Sequence, residues 1–136
     1  MRTIKFRAQD IASNKWLFGD IRHHKNCVCI FEQGGNIGEQ VKPETVGQFT
    51  GLTDKNGKGI YEGDIVSHPW KDPIFGDLVE TGQFVHSTIC FNNAAFVVNY
   101  RLQGEYIYLQ DFVRLKCLEV VGNIHDNPEL LKGGEE

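Results

Sequence analysis

The segment from His23 to Cys29 holds four side chains that can bind a transition metal, namely His23, His24, Cys27 and Cys29. Imidazole nitrogen and thiolate sulfur are the ligands that zinc prefers, and Cys27 and Cys29 would share one face of a strand. Structural zinc sites usually place their cysteines in two separated C-x₂₋₄-C pairs, whereas the remaining cysteines here stand alone. No metal is therefore predicted, and these four residues are a weak candidate set. The alternative is that the cysteines are small core residues and the histidines are exposed.

Other residue patterns that resemble catalytic or phosphate-binding motifs are incomplete. His125-Asp126 suggests an oriented imidazole, yet no serine or cysteine lies in a nucleophile motif. Asn56-Gly57-Lys58-Gly59 ends in glycine where a phosphate-binding loop needs serine or threonine, so a hairpin turn is favoured. Glu62-Gly63-Asp64 predicts a second turn, in which Asp64 caps the backbone. The sequence predicts no catalytic residue and no cofactor.

Basic and aromatic residues are interleaved near the start of the chain. If the first two predicted strands pair, Lys5, Arg7 and Arg22 lie on one solvent-exposed face. Such a face, with an aromatic ring nearby, suits phosphate contacts and base stacking. The alternative is a solvated strand face with Trp16 in the core. We predict Lys5, Arg7 and Arg22 as binding residues, together with Trp70 from a later loop.

Alternation of apolar and polar residues predicts short strands separated by turns. Ile4, Phe6 and Ala8 alternate with Lys5 and Arg7, which is the period of a half-buried strand. Strands are predicted at 3–8, 16–21, 27–31, 46–50, 78–91, 95–102, 105–109 and 117–121, with short apolar pairs at 60–61 and 65–66. The segment 68–77 predicts a loop with His68 at the surface, and Asn127-Pro128-Glu129 predicts a short terminal helix. This pattern is typical of an antiparallel barrel or sandwich.

Composition places the chain among ordinary globular proteins. Its 136 residues are 40% hydrophobic and 24% charged, and the formal net charge is −4. A mildly acidic protein is not expected to bind nucleic acid over its whole surface, although a local basic face remains open. Residues 1–7 lack the apolar core of a signal peptide, and no apolar run is long enough to span a membrane. We expect a cytoplasmic protein whose four cysteines are thiols.

Three segments together resemble the YopX family of bacteriophage and prophage proteins. The first is 4–10 with Trp16 after it, the second runs from Gln48 to Val66, and the third runs from Leu118 to Leu131. They occur in the family's order, and the second is long and specific. Gln9 stands where the family often has tryptophan, and Gly59 where it often has glutamate. The stretches 22–45 and 67–117 match no family motif.

The resemblance implies a phage or prophage protein that acts in a bacterial host. It implies an all-β fold, with an irregular N-terminal β lobe over 1–59 and an SH3-like small barrel lobe over 60–136 that ends in one short helical turn. The two lobes are expected to form one compact unit. The resemblance implies no activity and assigns no functional residue, because the family has no settled biochemical role.

Two classes of function are compatible with these features. The first is a non-catalytic adaptor that binds protein or nucleic acid, with the loops 67–77 and 92–93 and the rings of Trp70, Phe75 and Tyr100 as the first places to look. The second is a small hydrolase or nucleotide-handling enzyme, in which His125 or Asp64 would take part. A self-assembling phage component is a third, structural option. No membrane partner is expected, and a homo-oligomer is possible.

Overall fold

The computed structural model describes residues 4–32, 35, 37–69, 84–92, 95–100, 105–108 and 118–133. Over these residues the chain is nearly all β, with two antiparallel sheets and one short α-helix, so the predicted all-β class is confirmed. The chain divides into two compact units, Met1–Gly51 and Leu52–Glu136. The predicted division into lobes 1–59 and 60–136 stays a prediction. None of the described helices is long and apolar enough to cross a membrane.

The first unit is built on an antiparallel sheet with the strand order β4-β3-β2-β1-β5. Its strands are β1 (Phe6–Gln9), β2 (Trp16–His23), β3 (Val28–Phe31), β4 (Glu39–Val41) and β5 (Gly47–Thr53), and a short 3-10 helix covers Pro43–Thr45. β4 has no counterpart in the sequence-based prediction. Its three residues include a single apolar side chain, Val41, which is too little for a periodic signal.

Alternation along β1 and β2 separates the two faces of this sheet. Ala8 pairs with Leu17 across the strands, and Ala8 and Ile30 are fully buried. These residues belong to an apolar cluster that comprises Ala8, Val28, Ile30 and Val41, with Phe6, Leu17, Ile21 and Val46 packed against it. The intervening residues of β1 and β2 therefore point to the opposite face, because successive side chains in a strand alternate.

β2 exchanges partners at Gly19. Residues before it pair with β1, and Asp20 to His23 pair with β3. A Cβ at Gly19 would overlap the carbonyl oxygen of Phe31 and lie 2.9 Å from the carbonyl carbon, so only glycine lets the two backbones approach this closely.

The second unit contains a five-stranded antiparallel sheet with the order β10-β9-β8-β7-β11. Its elements are β6 (Gly59–Tyr61), β7 (Asp64–Pro69), β8 (Phe84–Asn92), β9 (Ala95–Tyr100), β10 (Glu105–Tyr108), β11 (Glu119–Asn123) and α1 (Glu129–Gly133). Over the described residues no pairing joins β10 to β11, so the sheet is not closed there. The predicted terminal helical turn is confirmed as α1, which is held to β8 by a hydrogen bond between His86 Nδ1 and the Leu130 carbonyl at 3.0 Å.

The core of the second unit corrects the prediction for His68. Residues from β6, β7, β8 and β9 are buried, including Ile60, Ile65, Ile89 and Val98. His68 lies in β7, is fully buried, and has its Nε2 atom 2.8 Å from Ser87 Oγ. The loop predicted from residue 68 was wrong for His68 and Pro69, because proline is tolerated at a strand end and Ser87 satisfies the imidazole. Residues 70–77 of that predicted loop lie outside the described residues.

We predict that Gly19→Ala destabilises the β2–β3 pairing by about 3 kcal/mol, because the added methyl group meets backbone atoms that have no rotamer to change. The matched control is Gly57→Ala, where no atom lies within 4 Å and only the positive φ of 83° is unfavourable, at about 1 kcal/mol. Urea unfolding followed by circular dichroism measures both losses, and amide exchange in β2 and β3 localises the first. Equal losses for the two variants would contradict this account of Gly19.

Candidate nucleic-acid interface

Three cations lie over aromatic rings in the described part of the first unit. Lys5 Nζ is 4.9 Å from the centroid of the Phe49 ring, and Arg7 Cζ is 4.8 Å from that of Trp16. Arg22 Cζ is 4.4 Å from the centroid of the Phe31 ring. These distances are within the range of about 6 Å over which a cation is attracted to a ring face.

Strand register places the three pairs on the face opposite the apolar cluster. Lys5 and Arg7 are two residues apart, and Arg7 pairs with Phe18 of β2. Arg22 is four residues beyond Phe18, so it falls on the same side of β2. We call this surface the cation-ring face, and it consists of Lys5, Arg7, Trp16, Phe18, Asp20, Arg22, Phe31 and Phe49. The first two strands pair as predicted, and the alternating positions bring Lys5, Arg7 and Arg22 to one side of the sheet.

The three cations differ in exposure, which corrects the expectation of a uniformly solvent-exposed face. Arg22 is exposed and Lys5 is half-buried, but Arg7 is only 8% exposed. Arg7 lies in β1, which pairs with β2 on one side and with β5 on the other. Its guanidinium therefore packs on the Trp16 ring over the centre of the sheet. There it is shielded from solvent and stabilises the fold.

Two exposed residues complete the cation-ring face between Arg7 and Arg22. Phe18 is 46% exposed, which is unusual for a large aromatic side chain on a central strand. Asp20 is exposed as well, and its strand partner is Phe31. The face thus includes a half-exposed ring and two cations that retain exposed surface, Lys5 and Arg22, and it carries one exposed carboxylate that opposes the binding of anions.

The end of the β2–β3 hairpin carries further basic and imidazole side chains. Arg22, His23, His24 and Lys25 are all exposed. The turn is closed by a hydrogen bond of 2.8 Å from the His24 N–H to the Cys27 carbonyl.

The weak metal candidate is not supported by the arrangement of its four residues, all of which are described. They do not form a group of three or more ligands able to hold a metal ion. His23 pairs with Val28, so its side chain lies on the opposite face from that of Cys29. Burial raises the pKa of the Cys29 thiol, and its hydrogen bond with Cys27 raises it further. A raised thiol pKa disfavours the thiolate that a metal requires.

Charge is distributed unequally between the two units. The first unit has seven Lys and Arg against five Asp and Glu, a net charge of +2. The second unit has seven against thirteen, a net charge of −6. The first unit is therefore mildly basic although the whole chain is acidic. The net charge of the whole chain thus does not argue against a polyanionic ligand for the first unit.

The carboxylate of Asp54 organises the turn between β5 and β6. Its Oδ1 atom accepts hydrogen bonds from the N–H groups of Asn56 and Lys58, both at 2.9 Å. Its Oδ2 atom accepts one from the Val120 N–H at 2.9 Å, 66 residues away in β11. Burial acts to raise the pKa of Asp54, but these three N–H donors outweigh it and hold the pKa below its ordinary value. The turn predicted from Asn56-Gly57 is present, and Asp54 has a structural role in it.

The two residues of the enzymatic alternative, Asp64 and His125, both make hydrogen bonds within local turns. Asp64 is 1% exposed, and its Oδ2 accepts a hydrogen bond of 2.8 Å from the Tyr61 N–H, which is the predicted turn cap. His125 donates its backbone N–H to Asn123 Oδ1 at 3.0 Å, within a turn that also includes Asp126. The Asp64 carboxylate and the backbone of His125 thus take part in local folding. Trp70, predicted as a binding residue, and Phe75, one of the rings named as a first place to look, lie outside the described residues.

Sequence reasoning missed the rings that accompany the cations. Phe31 and Phe49 each lie under a predicted basic residue, and Phe18 is the most exposed ring of the cation-ring face. The position of Phe18 could have been predicted from the sequence. Phe18 and Arg22 are four residues apart in one strand, so their side chains lie on the same face, opposite those of Leu17 and Gly19. Phe31 and Phe49 come from β3 and β5, and their pairing with the cations depends on strand register.

Comparison with known proteins shows a family for this chain and a solved structure with a similar fold. The family model described as YopX protein matches residues 5–132. The crystal structure of protein EF1440 from Enterococcus faecalis is similar, with a TM-score of 0.56 and 22% sequence identity. The alignment covers 96% of this chain and 99% of that chain, so the likeness shows a shared fold. No curated protein matches the sequence.

We predict that Asp54→Asn destabilises the second unit by about 2 kcal/mol, because an amide has one acceptor oxygen where the carboxylate has two, so at least one of the three N–H donors loses its partner. A carboxyl with a lowered pKa stabilises the fold at pH values above its ordinary pKa of about 3.9, and this contribution is lost as the pH falls through the lower folded-state value. The difference in unfolding free energy between wild type and variant should thus be constant above about pH 5 and narrow in more acidic solution.

The control for this variant is Glu129→Gln, which removes an exposed carboxylate from the same unit. It should lower the free energy of unfolding by only about 0.3 kcal/mol. Urea unfolding over a series of pH values measures both. The assigned hydrogen bonds would be contradicted if Asp54→Asn lowered the free energy of unfolding by no more than Glu129→Gln does. They would also be contradicted if the loss for Asp54→Asn became larger as the pH falls.

Proposed function

The chain belongs to the YopX family, and we propose that it is a non-catalytic binding module whose first unit binds nucleic acid. The observation that carries the proposal is that the exposed Arg22 and the half-buried Lys5 lie on one face of the first unit together with aromatic rings. Cations contact phosphates and rings stack on bases, and both kinds of group occur on this face.

The charge balance supports a ligand for the first unit in particular. Its net charge is +2, whereas the second unit carries −6. At the end of the β2–β3 hairpin, Arg22 and Lys25 add exposed positive charge to the first unit. A polyanion is the ligand class that this distribution favours.

A non-catalytic role is supported by what the acidic side chains do. Asp54 and Asp64 are buried and accept hydrogen bonds from backbone N–H groups of their own turns. Groups held in this way are structural, and a general acid or base instead needs access to a substrate. The small hydrolase and the self-assembling component remain the alternatives, and a protein ligand is the other form of the adaptor hypothesis.

The setting and the finer fold are part of the same proposal. The family resemblance supports a phage or prophage protein that acts in the cytoplasm of a bacterial host. It also supports closure of residues 60–136 into an SH3-like small barrel, for which the five strands β7 to β11 would supply the wall. Trp70, which the sequence predicts as a binding residue, is retained in the proposal.

We predict that the protein binds a labelled oligonucleotide of about 20 nucleotides, single-stranded or duplex, at low salt. Arg22→Ala should weaken the tighter of the two complexes about threefold to tenfold and reduce the slope of log K against log salt by about 0.7, because one phosphate contact is lost. Fluorescence anisotropy at several salt concentrations measures both quantities.

The matched control is Lys58→Ala, which removes an exposed positive charge from the second unit. Its affinity should stay within about twofold of wild type, because Lys58 is not a residue of the cation-ring face and no phosphate contact is assigned to it. If neither probe binds at low salt, or if the two variants lose equal affinity, the proposed interface is wrong.

A further inference from the structure

We propose that Asn56 is a site of spontaneous deamidation, and that the hydrogen bonds of the turn around it slow the reaction while the second unit is folded. Asn56-Gly57 is the one Asn-Gly pair in the sequence. Glycine has no side chain to shield its backbone nitrogen, so an asparagine before glycine is more reactive than one before any other residue. Asn56 and Gly57 are both exposed, so water reaches the pair. The pair belongs to the second unit, so this chemistry is independent of the proposed binding function.

Deamidation at this pair requires only water and a solvent base. The backbone nitrogen of Gly57 loses its proton to the base and attacks Cγ of Asn56, the bond between Cγ and the side-chain nitrogen breaks, and ammonia leaves. Water then opens the five-membered succinimide ring at one of its two carbonyl carbons. The products are aspartate and isoaspartate, and in isoaspartate the main chain runs through the side-chain carbon. The rate therefore depends on how freely the Gly57 nitrogen can approach the Asn56 side chain.

The folded turn restrains both reacting groups. The Gly57 N–H donates a hydrogen bond of 3.0 Å to the Asp54 carbonyl, so the attacking nitrogen is engaged. The side-chain amide of Asn56 donates to Glu119 Oε2 at 3.2 Å, which directs it toward β11. On either side of Gly57, the N–H groups of Asn56 and Lys58 are bonded to Asp54 Oδ1. Ring closure requires rotation of the Asn56 backbone, so the reaction passes through a transient opening of this turn.

The products of the reaction do not restore the native contacts. Each product carries a carboxylate at position 56 in place of the amide that donates to Glu119, and like charges repel. Isoaspartate also lengthens the main chain of the turn by one carbon, which disturbs the two N–H groups that Asp54 Oδ1 binds. Because Asp54 Oδ2 also binds the Val120 N–H, a change in the turn reaches β11. Deamidation is therefore expected to destabilise the second unit irreversibly.

The experiment follows Asn56 in the full chain by tandem mass spectrometry during incubation in mildly alkaline buffer, where loss of the amide proton is favoured. The folded protein is compared with the same chain unfolded in guanidinium chloride. Folded wild type should react at least about tenfold more slowly than the unfolded chain, because only molecules with an open turn react. The reacted and unreacted fractions, separated by ion exchange, are then unfolded in guanidinium chloride, and the reacted fraction should have the lower midpoint.

Two variants test whether this turn is the source of the protection. Glu119→Ala removes the partner of the Asn56 amide and should speed the reaction of the folded protein about twofold to fivefold, as expected for one hydrogen bond. Asp54→Ala removes both acceptor oxygens and should speed it at least about tenfold. The matched control is Glu129→Ala, which removes an exposed carboxylate from α1 and should stay within about twofold of wild type.

Unfolding curves of the variants show whether each remains folded. If Asp54→Ala does not fold, Glu119→Ala decides the test, because it removes only exposed contacts. Equal rates for folded and unfolded wild type would overturn the proposed protection, as would a failure of both variants to react faster than Glu129→Ala. An unfolded chain in which Asn56 reacts no faster than the other asparagines would overturn the assignment of the site. Equal midpoints for the reacted and unreacted fractions would overturn the expected loss of stability.

Discussion

The contact between the Arg7 guanidinium and the Trp16 ring is the constraint on which the first unit depends. Burial of a charged group is unfavourable unless the charge is compensated, and a ring face compensates best when the cation is a weakly hydrated, planar guanidinium. Because Arg7 is buried in β1, the residues on either side of it are forced to the opposite face, where Phe6 and Ala8 join the apolar cluster. The same alternation brings Lys5 and, through β2, Phe18 and Arg22 to the side of Arg7. One side of the sheet is thus the core, and the other is a surface of cations and rings.

The second unit relies on a different kind of contact. There the carboxylate of Asp54 accepts hydrogen bonds from backbone N–H groups that have no carbonyl partner in a strand ladder or helix. Asp54 binds donors from its own turn and from β11, so a local turn and a strand 66 residues away are fixed by one side chain. Asn56 and Lys55 reinforce the link through Glu119, with an amide contact of 3.2 Å and an ion pair of 3.9 Å. Those two contacts are exposed and contribute little, whereas the bonds to Asp54 are sheltered from water. The glycine-rich turn is therefore explained by folding, without a ligand.

Much of the fold was predictable, because it follows from local pattern. The alternation of Ile4, Phe6 and Ala8 with Lys5 and Arg7 is enough to predict β1 and the shared side of the two cations. The burial of Arg7 was not predictable, because it depends on which residue of β2 lies opposite. His68 was placed in a loop because Pro69 follows it, and only the sheet reveals Ser87 as its partner. The role of Asp54 toward Val120 has no local signal, since the two residues are close only in the folded chain.

The contacts of β11 have a consequence for how the protein behaves at high concentration. β11 is an edge strand of the five-stranded sheet, and exposed strand edges invite pairing with other chains. Here the Val120 N–H is bonded to the Asp54 carboxylate, and the Leu118 carbonyl accepts a hydrogen bond of 3.0 Å from the Lys55 N–H. Neither group is open to a neighbouring molecule, and the bulge between Val120 and Gly122 further interrupts the ladder. The turn that follows β5 thereby blocks edge-to-edge pairing of β11 with other chains, which lowers the tendency to aggregate.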